Sequence, residues 1–321
     1  MSTSTIKAGP AYSAGPVPAR RRSSRVTKRV QIALFVGPAL IVYVVFVLLP
    51  VVLAAFYSFF KWNGLGPLDS FIGIGNYTRL LSDPVFLAAI GVNIFVVVMS
   101  ILIQGPLAIG IALLLNRKLR GRTIFRVIVF IPYVLSEVVA GVAWKLILQP
   151  DGPFDTLLKS AGLGGLKQLW LADGNIAIWT LFWVLTWKYV GFAIILFLAG
   201  LQGVPVELEE AGKIDGANWW QIQRHITLPL LAPTIRIWAF LSIIGSLQLF
   251  DMVWVLTGGG PAGATTTMAT YMVQYGFQRN QIGYGSAVAV VLFIFSLVFA
   301  LLYQRFVLRR DLEGSLTRGV G

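Results

Sequence analysis

The sequence predicts an all-α membrane protein with six transmembrane helices and both termini on the cytoplasmic side. Three observations lead there. The first is composition: 57% of the 321 residues are apolar or aromatic and only 12% are charged, against roughly 45–50% and 25% in an ordinary soluble domain. With a mean hydropathy of +0.78, the chain carries more apolar surface than one aqueous core can hide. The second is that this surface falls in six blocks, each long enough to cross a bilayer as a helix. The third is the uneven sharing of Lys and Arg between connections, because basic residues close to a span resist translocation.

Residues 1–30 are rich in Ser, Pro and Ala and contain Lys7, Arg20, Arg21, Arg22, Arg25, Lys28 and Arg29 without one acidic residue. They read as a basic, disordered cytoplasmic tail. The six spans are expected at roughly 31–57, 86–115, 124–147, 176–201, 234–256 and 282–306. About 25 apolar residues in the first exceed a signal-peptide h-region, and no Ala-x-Ala site follows Phe60, so a retained helix is expected. Placing the tail, the second and fourth connections and the C-terminal residues inside gives that side sixteen Lys and Arg, including Arg117, Lys118, Arg120 and Arg122. The outer side holds five, namely Lys61, Arg79, Lys159, Lys167 and Arg279. Most of the net charge of +13 is therefore topological, and no nucleic-acid partner is needed to explain it. The chain has no cysteine and one histidine, His225. Disulfides, thiolate metal sites, cysteine nucleophiles and an HExxH zinc site are thereby excluded, and neither a catalytic residue nor a metal site is expected.

Within the spans, Gly105-Pro106 and Pro132 are expected to break the helical ladder, which hydrocarbon tolerates where neighbouring helices or a polar cavity satisfy the freed groups. Trp62, Trp144, Trp170, Trp179 and Trp254 fall near external span ends, as interface belts require, whereas Trp183 and Trp187 share a face deeper in the fourth span. Glu137 and Lys188 each lie about 13 residues from the cytoplasmic end of their spans, so at about 1.5 Å per residue both sit near 20 Å depth. One unpaired charge there costs roughly 2.5–3.5 kcal/mol. Two arrangements relieve the cost: a Glu137–Lys188 ion pair, or separate exposure of each to a watery cavity with Asp251 nearer the outer end.

The fourth connection, residues 203–229, differs from the other cytoplasmic stretches. Pro205 suits a helix start, Glu207, Glu209 and Glu210 follow in its first turn, and Gly216 stops it. Asn218 with Gln221 three residues on forms a capping box for a second short helix, which Pro229 is expected to end. Trp219, Ile222 and Ile226 give the second helix an apolar stripe, while Ala211 and Gly212 give the first a smooth face. A docking surface for a partner protein accounts for this pattern better than an amphipathic hairpin lying on lipid.

This stretch resembles the EAA loop of the membrane subunits of ABC importers. Glu210-Ala211-Gly212 is followed after three residues by Gly216, and after nine more by Ile226-x-Leu228-Pro229. Gly212 in place of the second alanine is the one departure. Phe71-Ile-Gly73-Ile-Gly-Asn76-Tyr77, Leu256-Thr257-Gly-Gly259-Gly260-Pro261 and Gly283-Tyr284-Gly-Ser286-Ala287 are similar to the carbohydrate-type branch. The resemblance covers about residues 31–310 and leaves out the tail 311–321.

It implies a type I importer permease fold in a cell inner or plasma membrane. The implied partners are a second, homologous permease subunit, two cytosolic ATPase subunits and an extracytoplasmic binding protein that delivers a sugar or oligosaccharide. Glu210, Ala211, Gly212, Asp215, Gly216, Ile226, Leu228 and Pro229 would couple to the ATPases. Trp187, Tyr189, Phe192, Ser246 and Gln248, on the spans flanking the loop, would line the sugar path. No GxxxxGK[ST] phosphate cradle is present, since the single Gly-Lys pair, Gly212-Lys213, is followed by Ile214. ATP and Mg are thus expected on the partner subunits, with no cofactor on this chain. The alternative is an ion-coupled carrier using Glu137, Lys188 and Asp251 as its coupling site, which leaves the loop spacing unexplained.

Overall fold

The computed structural model describes residues 25–116 and 121–308. Residues 1–24 of the basic tail, Arg117, Lys118 and Arg120, and the C-terminal tail 311–321 lie outside them. The chain divides into two units, residues 1–52 and 53–321, and the contacts discussed below belong to the second. The described residues are helical, apart from turns and one isolated bridge between Phe60 and Phe71.

Helix α1 runs over residues 25–57 through a wide π-type turn at Val44–Leu48. It begins at Arg25, so the last residues read as tail belong to a helix. A short helix α2, Gly75–Ser82, precedes α3, Pro84–Leu115. The Asp83 carboxylate caps α3 by accepting from the Val85 and Phe86 N–H groups at 2.8 and 3.3 Å, and Pro84 occupies the first position, where no donor is needed. The expected break at Gly105-Pro106 does not occur. A wide turn at Ser100–Gln104 lets the Gly105 N–H bond the Ser100 carbonyl, so Pro106 falls where the ladder restarts and its missing donor is not missed.

The third predicted span is the broken one. Its halves, α4 (Arg122–Val134) and α5 (Glu137–Ile147), meet at 97° across Leu135 and Ser136, with Pro132 in the last turn of α4. The described residues thus hold five helices long and apolar enough to cross a membrane plus this bent pair, rather than six continuous spans. In the next connection α6, Pro153–Ser160, is anchored by the buried Asp155 carboxylate, which accepts from the Trp170 indole at 2.9 Å. Nearby, hydrogen bonds from Lys167 and then Lys159 hold the exposed Asp151 carboxyl below its ordinary range.

Helix α7, Gly174–Leu201, is the central span, capped by Asp173. Helices α8, Val206–Ile214, and α9, Trp219–Leu247, follow. The expected stop at Pro229 is absent, because a third wide turn, at Gln223–Thr227, carries α9 through the proline as Ser100–Gln104 does in α3. The predicted fifth span is instead divided near its C-terminal end: α9 stops at Leu247, and α10 covers Asp251–Leu256. Helices α11, Met268–Val273, and α12, Ile282–Leu308, complete the chain.

The core lies around α7. Ala193, Ile194 and Phe197 pack with Ala108 and Ala112 of α3 and with Leu231 and Trp238 of α9. One layer outward, Leu181 and Leu185 pack with Ala140, Met252 and Val253. Small residues set the closest approaches, as expected where lipid supplies no hydrophobic drive between helices. A Cβ on Gly191 would collide with the Val129 carbonyl of α4, and one on Gly200 with Thr234 of α9. The motif residues outside the fourth connection stitch together loops between the spans. Asn76 donates to the Ser58 and Phe60 carbonyls at 2.8 and 2.9 Å, Gly283 leaves room for Phe60, and Thr265 and Thr266 donate to the Gly260 and Gly259 carbonyls.

Candidate functional site

A cavity of about 360 Å³ opens between α3, the α4–α5 break, α7 and the end of α9. Tyr189, Phe192, Ser246 and Gln248 line it, together with Glu137 and Asp251. Trp187 does not. Its ring meets Trp144 edge-on at 5.3 Å within the outer packing cluster. The wall also includes Ser100, Gln104, Tyr133, Trp238, Ser242 and Phe250, none of which sequence reasoning picked out. For two of them a signal existed: Asn93, Ser100 and Gln104 recur at helical spacing, a polar row inside an otherwise apolar span.

That row does local work first. Asn93, wholly buried, donates to the Ser246 and Leu247 carbonyls at 2.6 and 3.3 Å and accepts from the Met268 N–H at 2.9 Å. It thereby ends α9 and starts α11 with one side chain, satisfying backbone groups that apolar surroundings would otherwise leave orphaned. The Ser100 hydroxyl donates to Gln104 Oε1 at 2.8 Å and meets the Ser242 hydroxyl at 2.6 Å, tying α3 to α9 beside the cavity. The Tyr133 ring stacks on Phe192 at 5.1 Å, forming an aromatic wall across the break.

The intramembrane charges are employed differently from either sequence-based arrangement. No Glu137–Lys188 ion pair forms; the ion pairs among the described residues link Lys159 and Lys167 to Asp151 and Asp155. Lys188, 3% exposed, lines no part of the cavity. Its ammonium donates to the carbonyls of Pro132 and Tyr133 at 3.2 and 3.1 Å and to that of Leu135. These are carbonyls that the proline and the bend release, at the end of α4 where the helix dipole favours a cation. Glu137 opens α5, at the dipole end that favours an anion, and accepts from the Tyr189 hydroxyl. Each charge is thus satisfied by one end of the broken span. The Asp251 carboxylate forms neither a hydrogen bond nor an ion pair among the described residues.

The second candidate region is the α8–α9 hairpin. Gly216 takes φ +81°, a left-handed conformation that glycine adopts without strain. The Asn218–Gln221 capping box is present, with N···O distances of 2.9 and 2.7 Å. The two helices close on each other more tightly than expected. A Cβ on Gly212 would stand 3.0 Å from Ile226 and 3.4 Å from Ile222, and Thr227 donates to Glu209 across the pair at 3.2 Å. Gly212 and Ile222 are therefore spent inside the hairpin, and the expected outward stripe is corrected. Glu210, Ala211, Asp215 and Pro229 are exposed, Leu228 is half-buried, and the apolar side chains turned outward include Leu208, Ile214 and Trp220, the last 61% exposed.

A bundle of membrane-crossing helices around a polar, aromatic cavity, with a capped two-helix hairpin between its central spans, defines a membrane translocation subunit. The chain belongs to the family described as the binding-protein-dependent transport system inner membrane component, whose model matches residues 11–311. It is a permease subunit of a binding-protein-dependent importer. Among its relatives, a probable ABC transporter permease of Pyrococcus horikoshii is 36% identical over 276 residues, covering 85% of this chain and 94% of that one. A multiple sugar-binding transport system permease of Streptococcus mutans is 38% identical over 255 residues, covering 79% and 87%. A trehalose/maltose transport system permease of Thermococcus litoralis is 34% identical over 273 residues, covering 85% and 92%. The fold is shared with a chain in the crystal structure of a bacterial alginate ABC transporter in complex with an alginate pentasaccharide-bound periplasmic protein. That match has a TM-score of 0.78 and 23% identity, over 90% of this chain and 98% of that chain.

Proposed function

We propose that this permease imports a sugar or oligosaccharide handed over by an extracytoplasmic binding protein, through a path completed by a second, homologous permease subunit. The observation that carries the reading is the cavity. Aromatic side chains (Tyr133, Tyr189, Phe192) share its lining with hydrogen-bonding groups (Gln104, Ser242, Ser246, Gln248), the combination of stacking surface and polar partners that a sugar ring uses. The names of the Streptococcus and Thermococcus relatives point to the same substrate class. Both termini and the α8–α9 hairpin face the cytoplasm in this reading. Two ATPase subunits, which carry ATP and Mg, dock on the exposed hairpin surface of Glu210, Ala211, Asp215 and Leu208, while Gly212, Ile226 and Leu228 shape it from within and Gly216 and Pro229 set the course of its backbone. The chain itself contributes no ATPase site and binds no cofactor.

Reconstitution of the chain with its genomic-neighbour subunits and binding protein in proteoliposomes tests this. ATP-dependent accumulation of a labelled oligosaccharide is expected, and Gln248→Ala and Tyr189→Ala should each change selectivity among sugars at unchanged assembly. Accumulation of no saccharide would refute the substrate class. Unaltered kinetics in both variants would move the sugar contacts to the partner permease.

A further inference from the structure

The cavity has a charge character that the substrate class does not dictate. Its lining includes two carboxylates, Glu137 and Asp251, and no Lys, Arg or His. Lys188 stays behind the wall, its ammonium 5.9 and 5.8 Å from the Tyr133 and Tyr189 ring centroids and its three donors committed to the carbonyls of Pro132, Tyr133 and Leu135. A second observation marks the same wall as built for a ligand. Gln104 is 7% exposed and borders the cavity, its Oε1 occupied by Ser100, while its amide nitrogen has no hydrogen-bond partner among the described residues. With Oε1 occupied, that nitrogen is the donor Gln104 leaves open to the space of the cavity, free for a ligand hydroxyl.

We propose that Glu137 and Asp251 make this cavity a charge filter, which accepts sugar units bearing hydroxyl or ammonium donors and excludes those bearing a carboxylate. The inference rests on the carbohydrate reading above and adds to it the sign of the charge tolerated. Hydroxyl groups and ammonium groups donate to carboxylates; a uronate would bring a third negative charge beside two others, while the one cation behind that wall, Lys188, has its donors committed to carbonyls and cannot turn to meet it. The aromatic faces of Phe192 and Phe250 in the same wall attract a cation and give an anion nothing, while those of Tyr133 and Tyr189 already lie 5.9 and 5.8 Å from the Lys188 ammonium. Asp251 is the more decisive of the two, because its carboxylate is unpartnered, whereas Glu137 already accepts from Tyr189.

The chain contains no cysteine, which allows a direct reading of the cavity's potential. A Cβ at cavity-lining Gly245 meets nothing within 4 Å, so Gly245→Cys fits. In the assembled transporter, this thiol is reacted with methanethiosulfonates carrying either trimethylammonium or sulfonate, and the mass shift of this chain is followed. Relative to a free thiol, the cationic reagent should lead by about tenfold or more, as expected for a unit charge roughly 10 Å away at an effective permittivity near 20. Asp251→Asn and Glu137→Gln, the latter keeping an acceptor for Tyr189, should each shrink that lead. Equal rates for the two reagents, or a lead indifferent to both substitutions, would overturn the filter.

A second arm compares competition of ATP-dependent uptake by neutral, amino and uronate forms of one sugar, each corrected for its measured affinity for the binding protein. The uronate should compete at least about tenfold less well than the neutral form, and Asp251→Asn should narrow the gap. A uronate as effective as the neutral sugar also overturns the proposal. If no saccharide is taken up while the reagent preference persists, the carbohydrate reading fails and the acidic cavity stands apart from it.

Discussion

Lys188 illustrates how far a single residue can be read. Its depth and cost follow from its distance to the span end, and the need for compensation follows from hydrocarbon. Its partners do not follow, because they are backbone carbonyls released by a bend that leaves only Pro132 as a trace in the sequence. The carbonyl-capping role predicts a different mutational pattern from the ion pair. Lys188→Glu sets a carboxylate against oxygen atoms at the end of α4, so it should abolish assembly of the permease complex. Glu137→Lys should not rescue it, although a double swap would restore an ion pair. Lys188→Arg, which keeps several donors, should retain most of the assembled complex, measured by co-purification with the partner subunit. Recovery in the Glu137→Lys, Lys188→Glu double variant would restore the ion pair to the account. At the cavity, Tyr189, Phe192, Ser246 and Gln248 were legible through the resemblance, whereas Ser100 and Gln104 were hidden because a polar residue in a span more often serves helix packing.

At the scale of elements, the apolar blocks were legible and their continuity was not. Proline was read as a break at Gly105-Pro106, at Pro132 and at Pro229, yet only the second site breaks. A wide turn just upstream of Pro106 and of Pro229 shifts the hydrogen-bond ladder by one residue, and no residue pattern announces where such a turn will form. The division after Leu247 was equally silent, since its cause, Asn93, lies more than 150 residues earlier. Asn93→Leu would remove one side chain's bonds to two carbonyls and one N–H in the interior, at roughly 1–3 kcal/mol for each group left unsatisfied. A fall in the thermal stability of the solubilised complex is expected, well beyond that of Ser82→Ala, an exposed hydroxyl whose partners water can replace. The hairpin was read correctly in its caps and glycine turn, but Gly212 proved to be internal. Gly212→Leu should therefore splay α8 from α9 by crowding Ile222 and Ile226, and a protease-accessible hairpin would report it. Unchanged proteolysis would mean that the two isoleucines yield at little cost.

For the whole molecule, the consequence lies in α9, which joins the hairpin to the cavity without interruption. Its 29 residues run from Trp219 to Leu247 and carry Ile222 and Ile226 against α8 near one end, and Trp238, Ser242 and Ser246 on the cavity wall near the other. A continuous helix transmits displacement as a rigid rod, and roughly 20 residues at about 1.5 Å each put about 30 Å between the two regions. On the proposed docking of ATPases at the hairpin, closure of the ATPase pair moves α8 and α9 together and shifts one wall of the cavity, while α3 and the α4–α5 break hold the other. Softening the rod should then separate ATP hydrolysis from uptake. Leu230 and Ile237 lie along this stretch with outward side chains, and replacing both with glycine costs about 1 kcal/mol of helix propensity each without entering the cavity wall. The double variant should still bind the ATPases and hydrolyse ATP, but sugar accumulated per ATP should fall severalfold, more than in a Leu230→Ala, Ile237→Ala control that keeps helix propensity. Equal coupling in the glycine and alanine variants would show that the displacement reaches the cavity by another element, with α7, whose Gly200 packs against Thr234, the next to test.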